Sequence, residues 1–182
     1  NLFESCIETF ERLKKIPGKI NPVISITVTH ENCENIEKFY NFLKTDCNID
    51  SIKCTIVRDE GVYKTPVDKK KKILEAYTWL TDNIAKDKKN KTIQNYNLKS
   101  LQGRLHNAKD KISWGLTKKT YMDPKYISPC HAGSLFGIIN AKGFVYPCEI
   151  LENKLLGKLR ENDMDFMKIW RNQITKETKK FI

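Results

Sequence analysis

The chain has 182 residues, of which 40% are hydrophobic and 30% charged, and its formal net charge is +11. This length accommodates one ordinary domain, or part of a domain followed by a small one. No run approaches the roughly 18–20 apolar residues of a membrane-spanning helix, so no such helix and no membrane partner are predicted. Six cysteines without regular spacing are typical of a reducing compartment, which predicts a cytoplasmic location.

The first 60 residues alternate between predicted helices and strands. Apolar residues from Phe3 to Leu13 recur at helical spacing, and a strand follows at Val23–Thr29. A helix over Cys33–Thr45, with Asn32 as its N-cap, then leads to a second strand rich in β-branched residues at Ile52–Arg58. A strand, a helix and a strand in this order are typical of a βαβ unit with parallel strands, so the fold class is predicted to be α/β.

The middle of the chain is strongly basic. Residues 60–120 hold 15 Lys and Arg against 6 Asp and Glu, so +9 of the net charge lies in one third of the sequence. The run Lys69–Lys72 lies in the first turns of a predicted helix, whereas Lys86–Lys91 is predicted to be an interhelical loop. A further helix is predicted from apolar residues in register: Leu98, Leu101, Leu105, Ala108 and Ile112. Such lysine runs are typical of a solvated face, and Arg104 is the one arginine between residues 60 and 120 that could bind phosphate in a bidentate manner. Nucleic-acid binding is therefore the weaker hypothesis.

Two cysteines, Cys130 and Cys148, flank a predicted β-hairpin. The apolar runs Leu135–Ile139 and Phe144–Tyr146 are separated by Asn-Ala-Lys-Gly, whose glycine can adopt the positive φ that a turn requires. A hairpin brings its ends together, so thiols 18 positions apart become candidate neighbours. In a chain without regular disulfide spacing, converging thiols indicate a metal or cluster site, and the alternative is a pair of buried structural cysteines.

The residues around and after this hairpin follow a recognisable pattern. A strand ending in Tyr146-Pro147-Cys148 is followed by a turn containing Gly157 and by a segment that carries Ile169-Trp170. This pattern resembles the opening of the SPASM-type auxiliary-cluster domain of radical SAM enzymes, over roughly residues 129–182. A weaker resemblance, to the second half of the radical SAM barrel, covers about residues 1–58.

The resemblance implies three regions and a set of site residues. Residues 1–60 would be the C-terminal part of a radical SAM (β/α) barrel, residues 61–128 a basic helical insert, and residues 129–182 an incomplete SPASM-like domain with a small β-hairpin, a helix and cysteines. Cys130 and Cys148 would bind a [4Fe-4S] cluster. Thr27, Thr29 and Arg58, at the carboxyl ends of the predicted strands, would contact S-adenosyl-L-methionine.

Each of these cofactor-binding positions also has an ordinary interpretation. Arg58 is also suited to a surface ion pair with Asp59, Glu60 or a neighbouring helix, and Thr27 and Thr29 are common strand residues. A fork-shaped, permanently charged guanidinium nevertheless matches the carboxylate of S-adenosyl-L-methionine.

The chain also departs from the family pattern. Its cysteines fall at positions 6, 33, 47, 54, 130 and 148, so the Cys-x3-Cys-x2-Cys motif that binds the SAM-cleaving cluster is absent. The later SPASM cysteines are absent too. We interpret the chain as an internal piece of a longer radical SAM enzyme that modifies a substrate, often a peptide in this family, and expect the piece alone to be inactive. The alternative is a basic module that binds nucleic acid or an acidic partner, with structural or zinc-binding cysteines.

Overall fold

A computed structural model describes residues 1–17, 20–58, 65–94, 96–125, 129–151 and 153–181. The chain divides into two compact units, Asn1–Lys125 and Tyr126–Ile182. Across the described ranges, no helix combines the length and the apolar character needed to cross a membrane. The fold is mixed helix and sheet, with one small parallel sheet and one small antiparallel sheet.

The first unit contains four helices and two strands. In chain order they are α1 (Leu2–Lys14), β1 (Ile24–Val28), α2 (Ile36–Thr45), β2 (Ile52–Ile56), α3 (Lys70–Asn90) and α4 (Leu101–Met122). Short 3-10 turns precede two of the helices, Cys33–Asn35 before α2 and Val67–Lys69 before α3. The α1 helix begins at Asn1, whose side chain accepts a hydrogen bond from the backbone N–H of Phe3, and it ends before Pro17 as the sequence predicts.

The predicted parallel pair is confirmed. The β1 and β2 strands run in the same direction, with Ile24 opposite Ile52 and Val28 opposite Ile56. Alternate residues of β1 point to opposite faces: Ile26 and Val28 are buried, whereas Ser25 and Thr27 are exposed. The sheet therefore has one apolar face, which packs on the helices, and one polar face.

The core of this unit is formed by the apolar faces of β1, β2, α2 and α3. Residues of α3 at helical spacing are fully buried, as predicted: Ile73, Tyr77, Leu80 and Ile84. The prediction of a loop at Lys86–Lys91 is wrong, because α3 continues to Asn90 and only Lys91 adopts the left-handed conformation that ends it. The helix extends this far because Lys88 continues its buried face and pairs there with Asp110.

The second unit has its own small core. Its elements are β3 (Ile138–Ile139), β4 (Phe144–Tyr146), β5 (Gly157–Lys158), the 3-10 turn Leu159–Asn162, α5 (Phe166–Trp170) and α6 (Gln173–Phe181). The three strands form an antiparallel sheet in the order β3-β4-β5. Four buried residues make the core: Val145, Leu156, Leu159 and Ile169. Ile169, of the Ile-Trp pair in the sequence, therefore lies in the core of this unit.

Candidate metal centre and cofactor-binding positions

The hairpin that carries Cys148 forms as predicted. The β3 strand pairs antiparallel with β4, with Ile138 opposite Tyr146, although β3 is shorter than the predicted run. The Asn140 side-chain oxygen accepts hydrogen bonds from the backbone N–H groups of Lys142 (2.9 Å) and Phe144 (3.0 Å). Gly143 has a φ of +80°, the conformation that a residue with a Cβ adopts only with strain. Asn140 and Gly143 together close the turn.

The segment that carries Cys130 lies beside the end of this hairpin. The Gly133 N–H donates to the carbonyl oxygen of Pro147 at 3.2 Å and to that of Phe136 at 2.8 Å. Gly133 itself has a φ of +71°, so the chain turns sharply three residues after Cys130. These bonds connect the Cys130 segment to the residue immediately before Cys148, and the two cysteines belong to neighbouring stretches of backbone.

The surroundings of the two thiols differ. Cys130 is exposed, whereas Cys148 is half-buried, and the Cys148 Sγ accepts a hydrogen bond from the Ile150 N–H at 3.4 Å. The Leu151 N–H donates to the Cys148 carbonyl oxygen at 3.2 Å, which fixes the turn after the cysteine. Backbone N–H groups aimed at sulfur stabilise the thiolate form that ligates metals, and they tune the potential of iron–sulfur clusters.

As a metal site, this pair is only part of a ligand set. Cysteine thiolates are the donors that iron–sulfur clusters require, and a [4Fe-4S] cluster takes four of them. Within the ranges that the structure describes, no three His, Cys, Asp or Glu side chains group so as to hold a metal ion. Cys130 and Cys148 therefore fit such a cluster in chemical type, and they could supply two of the four ligands that it requires.

The other four cysteines lie outside this unit. All six cysteines of the chain are free thiols. Cys33 is buried in the first core, and Cys47 and Cys54 pack against it, as expected of small apolar residues, whereas Cys6 is exposed. Burial raises the pKa of Cys54 to about 12, so this thiol stays protonated at neutral pH.

The predicted cofactor-binding residues lie at or just beyond the carboxyl ends of the parallel strands. Thr27 is on the polar face of β1, Thr29 follows that strand directly, and the exposed Arg58 follows β2. Because β1 and β2 are parallel and in register, these ends share one edge of the sheet. Asp59 and Glu60, the predicted ion-pair partners of Arg58, lie outside the described residues.

The loop after β1 is shaped by a side chain whose role the sequence analysis missed. Asn32 is predicted to be an N-cap, and it occupies that position before the 3-10 turn Cys33–Asn35, but its side chain makes no capping hydrogen bond there. Its amide instead donates to the carbonyl oxygen of Thr27 at 2.8 Å and accepts from the N–H of Thr29 at 2.9 Å. The Thr29 hydroxyl in turn accepts from the Glu31 N–H at 3.2 Å. The loop backbone is thus held by the side chains of Asn32 and Thr29, and the Thr29 hydroxyl is already engaged.

A buried charge cluster near the end of α3 was also missed. Lys88 is only 5% exposed, and its ammonium group contacts the Asp110 carboxylate at 3.2 Å. The ammonium also lies over the rings of Tyr96 and Trp114, at 5.2 and 5.0 Å from their centres. A signal existed in the sequence, since position 88 continues the spacing of the buried residues at 73, 77, 80 and 84. Lysine is usually a surface residue, so its residue type alone does not indicate that Lys88 is buried.

A second polar cluster joins α2 to α3. The Asp87 carboxylate accepts hydrogen bonds from the Tyr40 hydroxyl at 2.7 Å and from the Lys44 ammonium. Burial on its own would raise the pKa of Asp87, but these bonds outweigh it and lower the pKa below its ordinary value of 3.8. Burial and the neighbouring carboxylate raise the pKa of Tyr40, so its hydroxyl remains a donor.

The lowered pKa of Asp87 gives a pH dependence with a definite sign. The folded carboxyl keeps its charge to lower pH than the unfolded one, so its contribution to stability is present above pH 3.8 and lost as the pH falls through the folded pKa. We expect Asp87→Asn to lower the free energy of unfolding at neutral pH by about 1–3 kcal/mol. The difference from the wild type should shrink in urea unfolding at about pH 3.

The matched control for this pH test is Asp82→Asn. The Asp82 side chain is 69% exposed and pairs with Lys118 on the surface, so its replacement should change stability little at either pH. An equal loss in the two variants, or a loss in Asp87→Asn that does not depend on pH, would contradict the assignment.

Comparison with known proteins identifies no relative of this chain. No family model, curated protein or solved structure matches the chain. Inferences about function therefore depend on the site residues themselves.

Proposed function

We propose that this chain is part of a radical SAM enzyme, in which the first unit contributes to the (β/α) barrel and the second unit carries an auxiliary iron–sulfur cluster. Three features support this proposal. The βαβ unit from Ile24 to Ile56 has the parallel pairing of a barrel wall. The other face of its sheet exposes Ser25 and Thr27, whose hydroxyl groups can contact a polar ligand. The two candidate ligands belong to one small unit with its own core.

One observation carries the proposal more than the others. The hydrogen bond from the Gly133 N–H to the Pro147 oxygen joins the two cysteine-bearing segments. The Ile150 N–H also points at the Cys148 sulfur. A donor aimed at the sulfur stabilises the thiolate form that binds a cluster.

The cofactors would supply the difficult chemistry, and this chain would bind and orient them. With S-adenosyl-L-methionine and a SAM-cleaving cluster bound, such an enzyme generates a radical that abstracts a hydrogen atom from its substrate, often a peptide. In this chain, the Arg58 guanidinium would bind the carboxylate of S-adenosyl-L-methionine, and Thr27 would face the same end of the barrel. Cys130 and Cys148 would hold the auxiliary cluster, with their partners elsewhere in the enzyme. The six free thiols support a reducing compartment, and we place the enzyme in the cytoplasm.

The basic region supports this proposal better than it supports a nucleic-acid-binding module. Several of its lysines pair with carboxylates of the same unit: Lys69 and Lys72 with Glu34, Lys88 with Asp110, and Lys118 with Asp82. Lysines that are engaged in this way are less available to neutralise phosphates.

Iron binding tests the proposal directly. After anaerobic reconstitution with iron and sulfide, we expect the chain to bind iron and to show a broad absorbance at about 400 nm, with loading below one cluster per chain because two of four ligands are present. Cys148→Ala should remove most of this iron, since it removes the half-buried thiol that accepts the Ile150 N–H hydrogen bond. Iron and sulfide per chain are the quantities to measure.

The matched control for iron binding is Cys47→Ala, in which the lost thiol is also half-buried but lies in the first unit. It should retain the wild-type iron content. Equal iron in the two variants, or zinc bound in preference to iron and sulfide, would reject the cluster assignment and favour structural or zinc-binding cysteines.

A further inference from the structure

The α4 helix has two faces with different surroundings. One face packs on the rest of the first unit: Asp110 pairs with Lys88, and Trp114 and Tyr121 pack against the main core. Successive residues of a helix are about 100° apart, so the residues opposite this face point away from the unit. A helix with only one packed face normally has a polar outer surface.

The outer surface of α4 is instead apolar. Its large residues are strongly exposed: Leu101 at 66%, Leu105 at 62%, Ile112 at 64% and Leu116 at 37%. With the exposed Ala108, they form what we call the α4 stripe. Four of them are apolar residues from which the sequence predicts the helix: Leu101, Leu105, Ala108 and Ile112. They do not face the core, because the polar and aromatic residues at 110, 114 and 121 make the packing contacts.

The spacing of the α4 stripe is that of a helix-pairing seam. The intervals from Leu101 to Leu105, Ala108 and Ile112 are four, three and four residues, which is the heptad alternation of a coiled coil. On a helical projection these side chains span an arc of about 80°, narrower than the apolar face of a typical core-facing helix. Such a seam fits the apolar edge of one other helix.

The charges beside the stripe have one sign. Exposed basic side chains flank or end it: Arg104, Lys109, Lys111 and Lys119. Asp110 is the single acid in α4, and it is bound to Lys88 on the opposite face. Among the described residues, none of the four flanking cations makes an ion pair with a carboxylate.

We propose that the α4 stripe binds an amphipathic helix of a partner protein whose apolar edge is flanked by acidic residues. The leucine seam would supply the buried contact, and the basic flanks would select the partner by charge. This inference does not depend on the radical SAM assignment, because it uses no residue of the candidate cofactor or metal sites.

The same observations disfavour two other occupants. A second copy of this chain would place Arg104, Lys109 and Lys111 against their own like charges in either orientation, which destabilises a helix pair. A membrane surface is usually bound by a broader apolar face that includes Trp or Phe, whereas the stripe is narrow and the Trp114 ring lies on the packed side.

Binding of designed peptides tests the proposal. The probe is a fluorescent 21-residue helical peptide with leucine at heptad positions a and d and glutamate at e and g, and its counterpart carries lysine at e and g. We expect the acidic peptide to bind and the basic one not to bind, as measured by fluorescence anisotropy. Leu105→Ser combined with Ile112→Ser should weaken binding at least about tenfold, and raising the salt to about 0.5 M should weaken binding to the wild type.

The control variant is Val67→Ser, which removes an apolar side chain that is 84% exposed but lies outside the stripe. It should bind the acidic peptide like the wild type, and circular dichroism should show all variants folded. The proposal is overturned if neither peptide binds, if both bind equally, or if the double substitution has no effect. It is also overturned if the substitution instead abolishes self-association in sedimentation, or if the stripe binds phosphatidylserine vesicles but not the acidic peptide.

Discussion

Replacing Asp110 with Asn is expected to lower the free energy of unfolding by about 3–5 kcal/mol. The substitution leaves the Lys88 ammonium, 5% exposed, without its carboxylate, and a buried charge without a partner is among the most destabilising changes known. The rings of Tyr96 and Trp114 would remain over the charge and offset part of the cost. Urea unfolding measures the effect.

Two companion variants separate the buried pair from ordinary charge removal. Lys72→Gln breaks an exposed pair with Glu34 and should change stability by only a few tenths of a kcal/mol. Lys88→Met combined with Asp110→Leu removes both charges and should recover most of the stability that Asp110→Asn loses. If Asp110→Asn costs no more than Lys72→Gln, Lys88 is not buried as the structure has it.

The same variant should acquire a pH dependence. Burial lowers the pKa of Lys88 below its ordinary value of 10.5, and the hydrogen bond to Asp110 opposes that effect. Without Asp110 the pKa falls further, so the folded chain loses the proton at lower pH than the unfolded chain does. The stability of Asp110→Asn should therefore rise with pH, from the lowered pKa up to 10.5.

The second large effect is expected at Gly103, in the first turn of α4. A Cβ at this position would overlap the carbonyl oxygen of Asn97 and lie 2.7 Å from its carbonyl carbon. This backbone is held in place, because the Ser100 hydroxyl donates to the Asn97 oxygen and accepts from the Gly103 N–H. We expect Gly103→Ala to lower the free energy of unfolding by about 1–3 kcal/mol and to lower the melting temperature.

Gly115, in the same helix, is the matched control. A Cβ there meets nothing within 4 Å, so Gly115→Ala should stabilise the protein by about 1 kcal/mol through helix propensity alone. If Gly103→Ala lowers the free energy of unfolding and Gly115→Ala raises it, the result would support the close approach of α4 to Asn97. Two stabilising substitutions would show that the chain at Asn97 lies farther from the helix.

Local chemistry made much of the fold predictable. The β-branched runs of β1 and β2 predict two paired strands, because the apolar residues that alternate along them must be buried in a shared core. The hairpin follows from Asn140 and Gly143, since a side-chain acceptor and a residue free to adopt positive φ suffice to close that turn. In each case the information lies within a few residues of the element that it determines.

The predictions that failed depend on contacts distant in the sequence. Lys88 is buried because Asp110, 22 positions away, is placed beside it. The α4 stripe is exposed because Trp114 and Asp110 make the packing contacts in its place, and periodicity alone cannot tell which face of a helix finds a neighbour. Asn32 is a local exception, because its side-chain hydrogen bonds run back to Thr27 and Thr29 instead of to the helix that follows. At the candidate metal centre, the sequence predicted the cysteine pair but not the N–H donor to Cys148.

The turn held by Asn140 also bears on the order in which the chain folds. Its closing contact, Ile139 with Val145, spans 6 positions, whereas the first contact of the parallel sheet, Ile24 with Ile52, spans 28. The entropy of closing the longer loop costs about 1.4 kcal/mol more. Short loops also close faster than long ones, so both the rate and the free energy of loop closure favour formation of the hairpin before the parallel sheet. When the whole chain refolds from the unfolded state, the Cys148 thiol would therefore reach its native turn before the two strands of the βαβ unit pair.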